Sequence, residues 1–281
     1  MSVSEQDIIN ARERLFNNVV EYFRSRKGVK AVFVGGSIAD GTTDTYSDID
    51  FRIVVEPELH KQFVSERLSM PKHWGEWLFN EWIEDAIHCV SHYKPFNKVD
   101  VFYFTPEHLQ PSPWYNLPVL IVDDPDGLVS RLVEASRGLA FSPDIGDIDR
   151  SISRVIACAH EVYRRACRGE LFFAHAQLTN IRYFMAHLDD YICNNPPQPV
   201  ILSHYEARGS AYIIEAFMKS HVPLEPIAIL GSCAVLLKAF YKQLDTLYQK
   251  FQLRRIKESD EYALNMVIEL GNDYSLHCDD N

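Results

Sequence analysis

The sequence predicts an α+β protein, with a mixed sheet in the N-terminal half and a helical bundle in the C-terminal half. Short apolar runs bounded by turn residues fill the first half and are typical of strands. Beyond about residue 148, apolar residues instead recur every three or four positions, which is the period of an amphipathic helix. A patch of Pro, Gly and Asp at 142–147 separates the two patterns. We therefore expect two domains, residues 1–142 and 143–281.

Local patterns predict the elements in order. Residues 4–26 carry apolar side chains at helical spacing and predict an amphipathic helix. The apolar runs 31–34 and 53–55 predict two strands, and 98–104 predicts a third. A further helix, packed on the sheet, is predicted by a cluster of aromatic residues interleaved with acids: Trp74, Trp77, Phe79 and Trp82. The second half is expected to form a bundle of four to five helices.

The segment that joins the first two predicted strands carries a pattern that suggests chemistry. Gly35 and Gly36 follow the first strand, and glycine can adopt a positive φ and let a ligand approach the backbone. Ser37 adds a hydroxyl at a predicted helix start, where exposed N–H groups bind phosphate. Asp48 and Asp50 share one face of the second strand. Neighbouring carboxylates repel unless a cation lies between them, and oxygen ligands favour magnesium or manganese, so the pattern predicts a site for a metal–nucleotide complex.

Two short motifs in this segment resemble the signature of the DNA polymerase β-like nucleotidyltransferase superfamily: Gly35-Gly36-Ser37 and Ser47-Asp48-Ile49-Asp50. Within that superfamily the chain is most similar to the bacterial aminoglycoside and lincosamide adenylyltransferases. The resemblance implies that the glycine turn and Ser47 contact the nucleotide, with ATP or another NTP as co-substrate. It also implies that Asp48 and Asp50 hold Mg²⁺ or Mn²⁺ ions that bridge the triphosphate.

The superfamily requires a third carboxylate from a later strand, and Asp100 is the candidate. It lies inside the predicted strand 98–104, where an aspartate is costly to bury unless it is paired or binds metal. The alternative is a salt bridge from Asp100 to Lys98 or Arg52. By the resemblance, Asp100 completes the second metal site or accepts the proton of the attacking hydroxyl, and both roles stay open. Arg52 shares the face of Asp48 and is a candidate phosphate ligand, or else a solvated edge residue.

The helical half resembles the same antibiotic-modifying enzymes more faintly, in the segment Arg168-Gly169-Glu170-Leu171. The resemblance makes Glu170 a candidate acceptor-binding residue or general base. An acidic residue at a helix N-terminus is also ordinary capping, and this alternative stays open. The acceptor implied by the resemblance is a hydroxyl of a small molecule, most similar to an aminoglycoside or lincosamide, and the family is compatible with a homodimer.

Composition narrows the expected partners. The formal net charge is −11 and no basic stripe is visible, so a nucleic-acid partner is not expected. An acidic surface attracts polycationic small molecules. The N-terminus lacks the pattern of a secretory signal, and no apolar stretch approaches membrane-spanning length. Six scattered cysteines indicate reduced thiols, and we expect a cytoplasmic enzyme with no membrane partner.

Two other functions are weighed against this one. The second half contains two matches to the loose Arg-x4–6-His pattern of HEPN-type helical ribonucleases: Arg154 with His160, and Arg182 with His187. Such domains pair with small nucleotidyltransferases in toxin–antitoxin systems, and the chain would then act on RNA or protein. The other alternative is a degenerate nucleotidyltransferase that binds nucleotide without turnover, which the intact aspartates disfavour.

Overall fold

A computed structural model describes residues 3–81, 84–196, 198 and 200–278, with side chains described as far as residue 271. The chain divides into two compact units, Met1–Ala140 and Phe141–Asn281. The described part of the first unit holds a mixed sheet, and that of the second is helical. The predicted α+β class is therefore confirmed.

The described residues of the first unit form a six-stranded sheet with four α-helices. The strands are β1 (Val29–Gly35), β2 (Ile49–Val55), β3 (Trp77–Asn80), β4 (His88–Tyr93), β5 (Asn97–Phe104) and β6 (Leu120–Asp123). The helices are α1 (Glu5–Arg24), α2 (Gly36–Asp40), α3 (Pro57–Glu66) and α4 (Leu128–Ser136). The strand order is β3-β4-β5-β2-β1-β6. Strands β2 and β5 are parallel, whereas the other neighbouring strands run antiparallel.

The two faces of the sheet are covered to different extents. On one face, α1 buries Val19 and Phe23 against alternate strand residues such as Phe51 and Val101. On the other face, Val129 of α4 packs with a small buried cluster that contains Val54. The residues of β2 and β5 beyond that cluster alternate between buried and half-buried side chains. This uneven cover leaves room for polar side chains near the start of β2.

The aromatic cluster at 74–82 does not form the predicted helix. Trp77–Asn80 is the edge strand β3, and Trp74 is buried just before it. Phe79 stacks on His92 of the neighbouring β4, with ring centroids 4.4 Å apart. Trp77 pairs with Tyr93 of β4, and Phe79 pairs with His92. These cross-strand pairs stabilise a strand here in place of the predicted helix. Trp82, also assigned to that helix, lies outside the described residues.

The described residues of the second unit form six α-helices. They are α5 (Ile145–Ala166), α6 (Leu171–Cys193), α7 (Tyr205–Arg208), α8 (Ala211–Lys219), α9 (Pro226–Lys250) and α10 (Lys257–Cys278). The core lies between α5, α6 and α9, where residues such as Val155, Leu178 and Leu236 are fully buried. The described helices exceed the expected four to five because the two short helices α7 and α8 are separated at Gly209.

Helix α9 has the length and apolar composition of a membrane-spanning segment, because it contains an 18-residue apolar window with a mean hydropathy of 1.4. The expectation that no stretch of the chain reaches this length is therefore wrong. Half of the apolar window is buried inside the unit, and the buried side chains include Leu237, Phe240 and Leu244. A core helix of a globular unit passes the same test, so α9 is weak grounds for a membrane span.

A buried carboxylate fixes the connection between α6 and α8. The side chain of Asp189 is fully buried and accepts hydrogen bonds from the Tyr205 hydroxyl, the Ser210 amide and the Ser210 hydroxyl, each at 2.7 Å. Three donors satisfy the charge, which offsets the cost of removing it from water.

We expect Asp189→Ala to lower the free energy of unfolding by about 3 kcal/mol, because three buried donors lose their acceptor. Glu215→Ala is the control, since the ion pair of Glu215 with Lys219 is exposed and should contribute less than about 1 kcal/mol. Urea unfolding followed by circular dichroism measures both values. Equal stability losses in the two variants would contradict a structural role for Asp189.

Candidate active site

The two predicted aspartate positions on β2 and β5 are neighbours in the sheet. Asp50 pairs with Asp100 in the parallel β2–β5 register, and Gly35 lies opposite Asp50 in the antiparallel β1–β2 register. Asp48 immediately precedes β2. The central strands therefore bring all three carboxylates and the end of β1 to one part of the sheet, as the sequence pattern predicts.

The glycine turn is shaped by the carboxylate of Asp50. Gly36 begins α2 with φ +66°, and a Cβ at this position would lie 2.5 Å from the Asp50 Oδ2 atom. A side chain here would be both strained and in collision with the carboxylate. Gly35 is extended, with φ −112°, so the positive φ considered for both glycines is found only at Gly36. A Cβ on Gly35 would meet the Arg52 Nη1 atom at 2.5 Å.

The guanidinium of Arg52 already donates a hydrogen bond, whereas the hydroxyl of Ser37 is hydrogen-bonded to no described residue. The Arg52 Nη1 atom donates to the backbone oxygen of Asp50 at 3.2 Å, and the guanidinium lies 5.8 Å from the centre of the Phe102 ring. Arg52 is half-buried on the face of Asp50, as strand parity predicts. The Ser37 backbone oxygen accepts from Thr43 Oγ1 at 3.0 Å, and its hydroxyl makes no hydrogen bond to a described residue.

The loop before Asp48 is closed by its own side chains and by a residue from α1. Ser47 Oγ donates to Asp44 Oδ1 at 3.0 Å and accepts from the Asp44 amide at 2.9 Å. Arg12, which is buried, donates from Nη1 to the backbone oxygens of Asp44, Thr45 and Ser47. The hydroxyl of Ser47 is thus used to shape the loop, although the sequence assigned it to the nucleotide.

Arg12 is a residue of this site that the sequence motifs did not identify. The sequence feature that could have identified it is an arginine on the apolar face of α1, one turn from Ile8 and on the same face as Val19. A buried guanidinium needs acceptors, and here they are loop carbonyls far away in the sequence. Arg12 therefore holds the loop that positions Asp48.

Lys98 is the cation that lies among the carboxylates. Its Nζ atom is 2.7 Å from Asp48 Oδ2 and 3.4 Å from Asp100 Oδ2. The alternative of a salt bridge between Lys98 and Asp100 is therefore observed, and it also includes Asp48. Burial lowers the pKa of Lys98, but the hydrogen bond to Asp48 and the charge of Asp100 outweigh it and raise the pKa overall.

The carboxylates remain under electrostatic stress despite Lys98. Burial, followed by the negative charge of Asp48, raises the pKa of Asp50, and Arg52 and Lys98 only partly oppose this. Burial raises the pKa of Asp100 to about 6; Lys98 opposes the shift, and Asp50 and Asp48 add to it. The Asp100 Oδ1 atom is buried and has no hydrogen-bond partner. A further cation at this cluster would relieve both conditions.

These residues fit a hard divalent cation by their chemistry. Asp48, Asp50 and Asp100 supply carboxylate oxygens, which suit magnesium or manganese, and the free Oδ1 of Asp100 is an available donor. Within the described ranges, however, no three His, Cys, Asp or Glu side chains are already arranged around a common ion position. Lys98 instead forms ion pairs with two of the three carboxylates, Asp48 and Asp100.

The remaining predicted residue, Glu170, belongs to the second unit. It occupies the N-cap position of α6, but its side chain accepts no capping hydrogen bond from the helix. Its carboxylate instead pairs with Arg165 Nη1 at 2.6 Å, and the side chain is 42% exposed. The alternative that the Glu170 side chain caps α6 is therefore wrong.

The two Arg–His matches in the second unit are occupied by separate structural contacts. His160 Nε2 contacts the Ala263 backbone oxygen at 2.9 Å, and the Arg154 guanidinium lies over the Phe184 ring. His187 Nε2 contacts Asp147 Oδ2 at 2.5 Å. Among the described contacts, none joins either arginine to the histidine of its motif. The geometry gives no support to a ribonuclease site.

Comparison with known proteins decides the nature of the first unit. Residues 17–110 match the family described as "Nucleotidyltransferase domain". Residues 17–110 form a nucleotidyltransferase domain. The match spans the glycine turn and all three aspartates, and it confirms the predicted superfamily and enzyme class for this segment. No protein with curated annotation matches the chain significantly.

Two solved structures resemble the chain distantly. An aminoglycoside 6-adenyltransferase from Bacillus subtilis has a TM-score of 0.45 at 12% identity, over 96% of this chain and 99% of that one. A nucleotidyltransferase-like protein from Exiguobacterium sibiricum has a TM-score of 0.42 at 12% identity, over 84% of this chain and 76% of that one. At this similarity neither structure carries an argument about substrate.

The raised pKa of Asp100 predicts a distinct pH dependence of stability. Because the folded-state pKa of about 6 exceeds the usual value of about 3.9, the folded chain binds this proton more tightly than the unfolded chain. The contribution is complete below about pH 4 and is lost as the pH rises to about 6. The charged groups that face Asp100 are Lys98, Asp48 and Asp50.

We expect the stability of the wild type, relative to Asp100→Asn, to fall by about 2 kcal/mol between pH 4 and 7, because asparagine does not titrate. Urea unfolding of both proteins at half-unit pH steps measures this difference. A difference that stays constant, or rises with pH, would contradict the environment described for Asp100.

Proposed function

We propose that the chain is a magnesium-dependent nucleotidyltransferase that transfers a nucleotidyl group, AMP in the first instance, from an NTP to a hydroxyl of a small molecule. The observation that carries the proposal is the group of three carboxylates on neighbouring central strands beside the Gly36 turn. The match of residues 17–110 to the nucleotidyltransferase domain supports it.

In this proposal Asp48, Asp50 and Asp100 hold the metal, and Gly36 and Ser37 contact the phosphates. A bound divalent cation would neutralise charge on the triphosphate and its leaving group. The acceptor hydroxyl forms a bond to the α-phosphorus while the bond between the α-phosphorus and its bridging oxygen to the β-phosphate breaks, which releases pyrophosphate. Arg52 is available to orient a phosphate from the same face of β2.

Protein groups must also accept the proton of the acceptor hydroxyl. Asp100 is a candidate in the alternative arrangement in which Asp48 and Asp50 alone hold the metal, because its pKa of about 6 in the metal-free protein lies near neutral pH, where a base is most effective. Glu170 is the second candidate, and its half-exposed carboxylate would first have to leave Arg165. Parallel pH profiles of Asp100→Asn and Glu170→Gln would separate these two roles.

For the acceptor, we propose an aminoglycoside- or lincosamide-like antibiotic. The net charge of −11 suits a polycationic acceptor and disfavours nucleic acid. We also propose ATP as the preferred NTP and the cytoplasm as the location of the enzyme.

The test is pyrophosphate release by the purified full chain with Mg²⁺, each NTP in turn, and a panel of aminoglycosides, lincosamides and simple polyols. We expect release that depends on one acceptor class and falls about a hundredfold or more in Asp48→Asn or Asp50→Asn, because each variant removes a charge that binds the metal. Asp126→Asn is the control, since Asp126 is an exposed aspartate in the same unit.

Release that survives in Asp48→Asn and Asp50→Asn would contradict the proposed site. Silence with every acceptor, in a protein that still binds nucleotide, would overturn the proposed antibiotic acceptors. Activity that is lost equally in Asp126→Asn would mean that the assay reports folding and not the site.

A further inference from the structure

The helical unit contains a cavity of about 250 Å³ that the proposed reaction does not use. Its wall is formed by residues of α6, α7 and α8, together with Leu202 before α7 and His221 after α8. Apolar side chains make up much of the wall: Ile214, Phe217 and Met218 of α8, with Leu202 before α7. Met218 is 74% exposed, so an apolar side chain faces solvent at this cavity.

Arg182 of α6 also lines this cavity, although only 5% of the residue is exposed. Its Nε atom donates to Ser220 Oγ at 2.8 Å and its Nη2 atom to the Ser220 backbone oxygen at 2.5 Å. Its Nη1 atom makes only a 3.5 Å contact with Thr179 Oγ1. All of these partners are neutral, and the Nη1 side of the guanidinium is the least satisfied.

No carboxylate among the described residues lies within ion-pair distance of Arg182. Two half-buried arginines of this unit are paired with carboxylates: Arg208 with Asp190 at 3.0 Å, and Arg255 with Asp260. Burial lowers the pKa of Arg182, yet a guanidinium stays protonated in proteins. Neutral acceptors offset only part of the cost of burying a cation, and an anion bound beside the guanidinium would offset more of it.

The positive charge of Arg182 shifts the pKa of another residue of the cavity wall. His221 lines the same cavity, and its pKa is lowered first by the Arg182 cation, then by burial and by His175. Glu206 is the acidic residue of the wall; it is exposed and is not paired with Arg182. A negatively charged ligand would therefore be attracted to the Arg182 side of the cavity, although the protein as a whole is acidic.

We propose that this cavity is a binding site for a small amphipathic anion, such as a medium-chain monocarboxylate. The carboxylate accepts hydrogen bonds from the Arg182 guanidinium, and the apolar body lies against Ile214, Phe217 and Met218. The site is a mostly apolar concavity with one charged group that fixes orientation, which is the usual composition of a small-molecule site. It is independent of the nucleotidyltransferase reaction.

The probe is octanoate, with octanamide as a neutral analogue of the same length. Isothermal titration calorimetry on the full chain should detect octanoate and should show at least tenfold weaker binding of octanamide, since the amide lacks the charge that Arg182 recognises. Arg182→Met should weaken octanoate binding by at least tenfold. Lys219→Met is the matched control, because it removes an exposed cation from the end of α8 that does not line the cavity, and it should bind like the wild type.

Equal binding of the acid and the amide would overturn the proposal, as would no binding of octanoate or undiminished binding in Arg182→Met. If Arg182→Met does not fold, Ile214→Trp replaces it, because it fills the cavity and leaves the guanidinium in place. Ile214→Trp should then also lose octanoate binding by at least tenfold. Undiminished binding in Ile214→Trp would show that octanoate binds elsewhere and would contradict the site.

Discussion

The repulsion among three carboxylates governs the first unit. Asp50 and Asp100 are fixed side by side by the parallel pairing of β2 and β5, and Asp48 lies two residues before Asp50, immediately ahead of β2. Lys98 joins Asp48 to Asp100 but leaves Asp50 without a hydrogen bond from a described side chain. Carboxylates whose pKa values are raised by burial and by one another, as at Asp50 and Asp100, are typical of a functional site.

Much of the surrounding structure keeps these carboxylates in place. Arg12 ties the loop before Asp48 to α1, while Gly36 leaves space for the carboxylate of Asp50. The Arg12 contact joins α1 to a loop 32 residues further along the chain, whereas Gly36 and Asp50 lie on the consecutive elements α2 and β2. A small change at either position would move a charged group and not merely loosen a core, so these two residues act on the site through Asp48 and Asp50.

The sequence predicted the parts of the fold that depend on local patterns. The helix α1, the strand pair around the glycine turn and the strand of Asp100 all follow from periodicity and from the short glycine and aspartate motifs. Contacts between distant segments could not be predicted in this way. The edge strand β3 depends on pairing with β4, and the roles of Arg12 and Lys98 depend on a loop and a carboxylate that only the fold brings near them.

In the proposed site, Asp48, Asp50 and Asp100 bind one cation, and Lys98 partly neutralises their charge. Electron paramagnetic resonance of Mn²⁺, titrated into the full chain with a non-hydrolysable ATP analogue, tests it most directly. We expect saturable binding that weakens at least tenfold in Asp50→Asn. In Lys98→Met, binding should be at least as tight as in the wild type, because that lysine competes for two of the carboxylates. Binding that is unchanged in Asp50→Asn, or weakened in Lys98→Met, would contradict it.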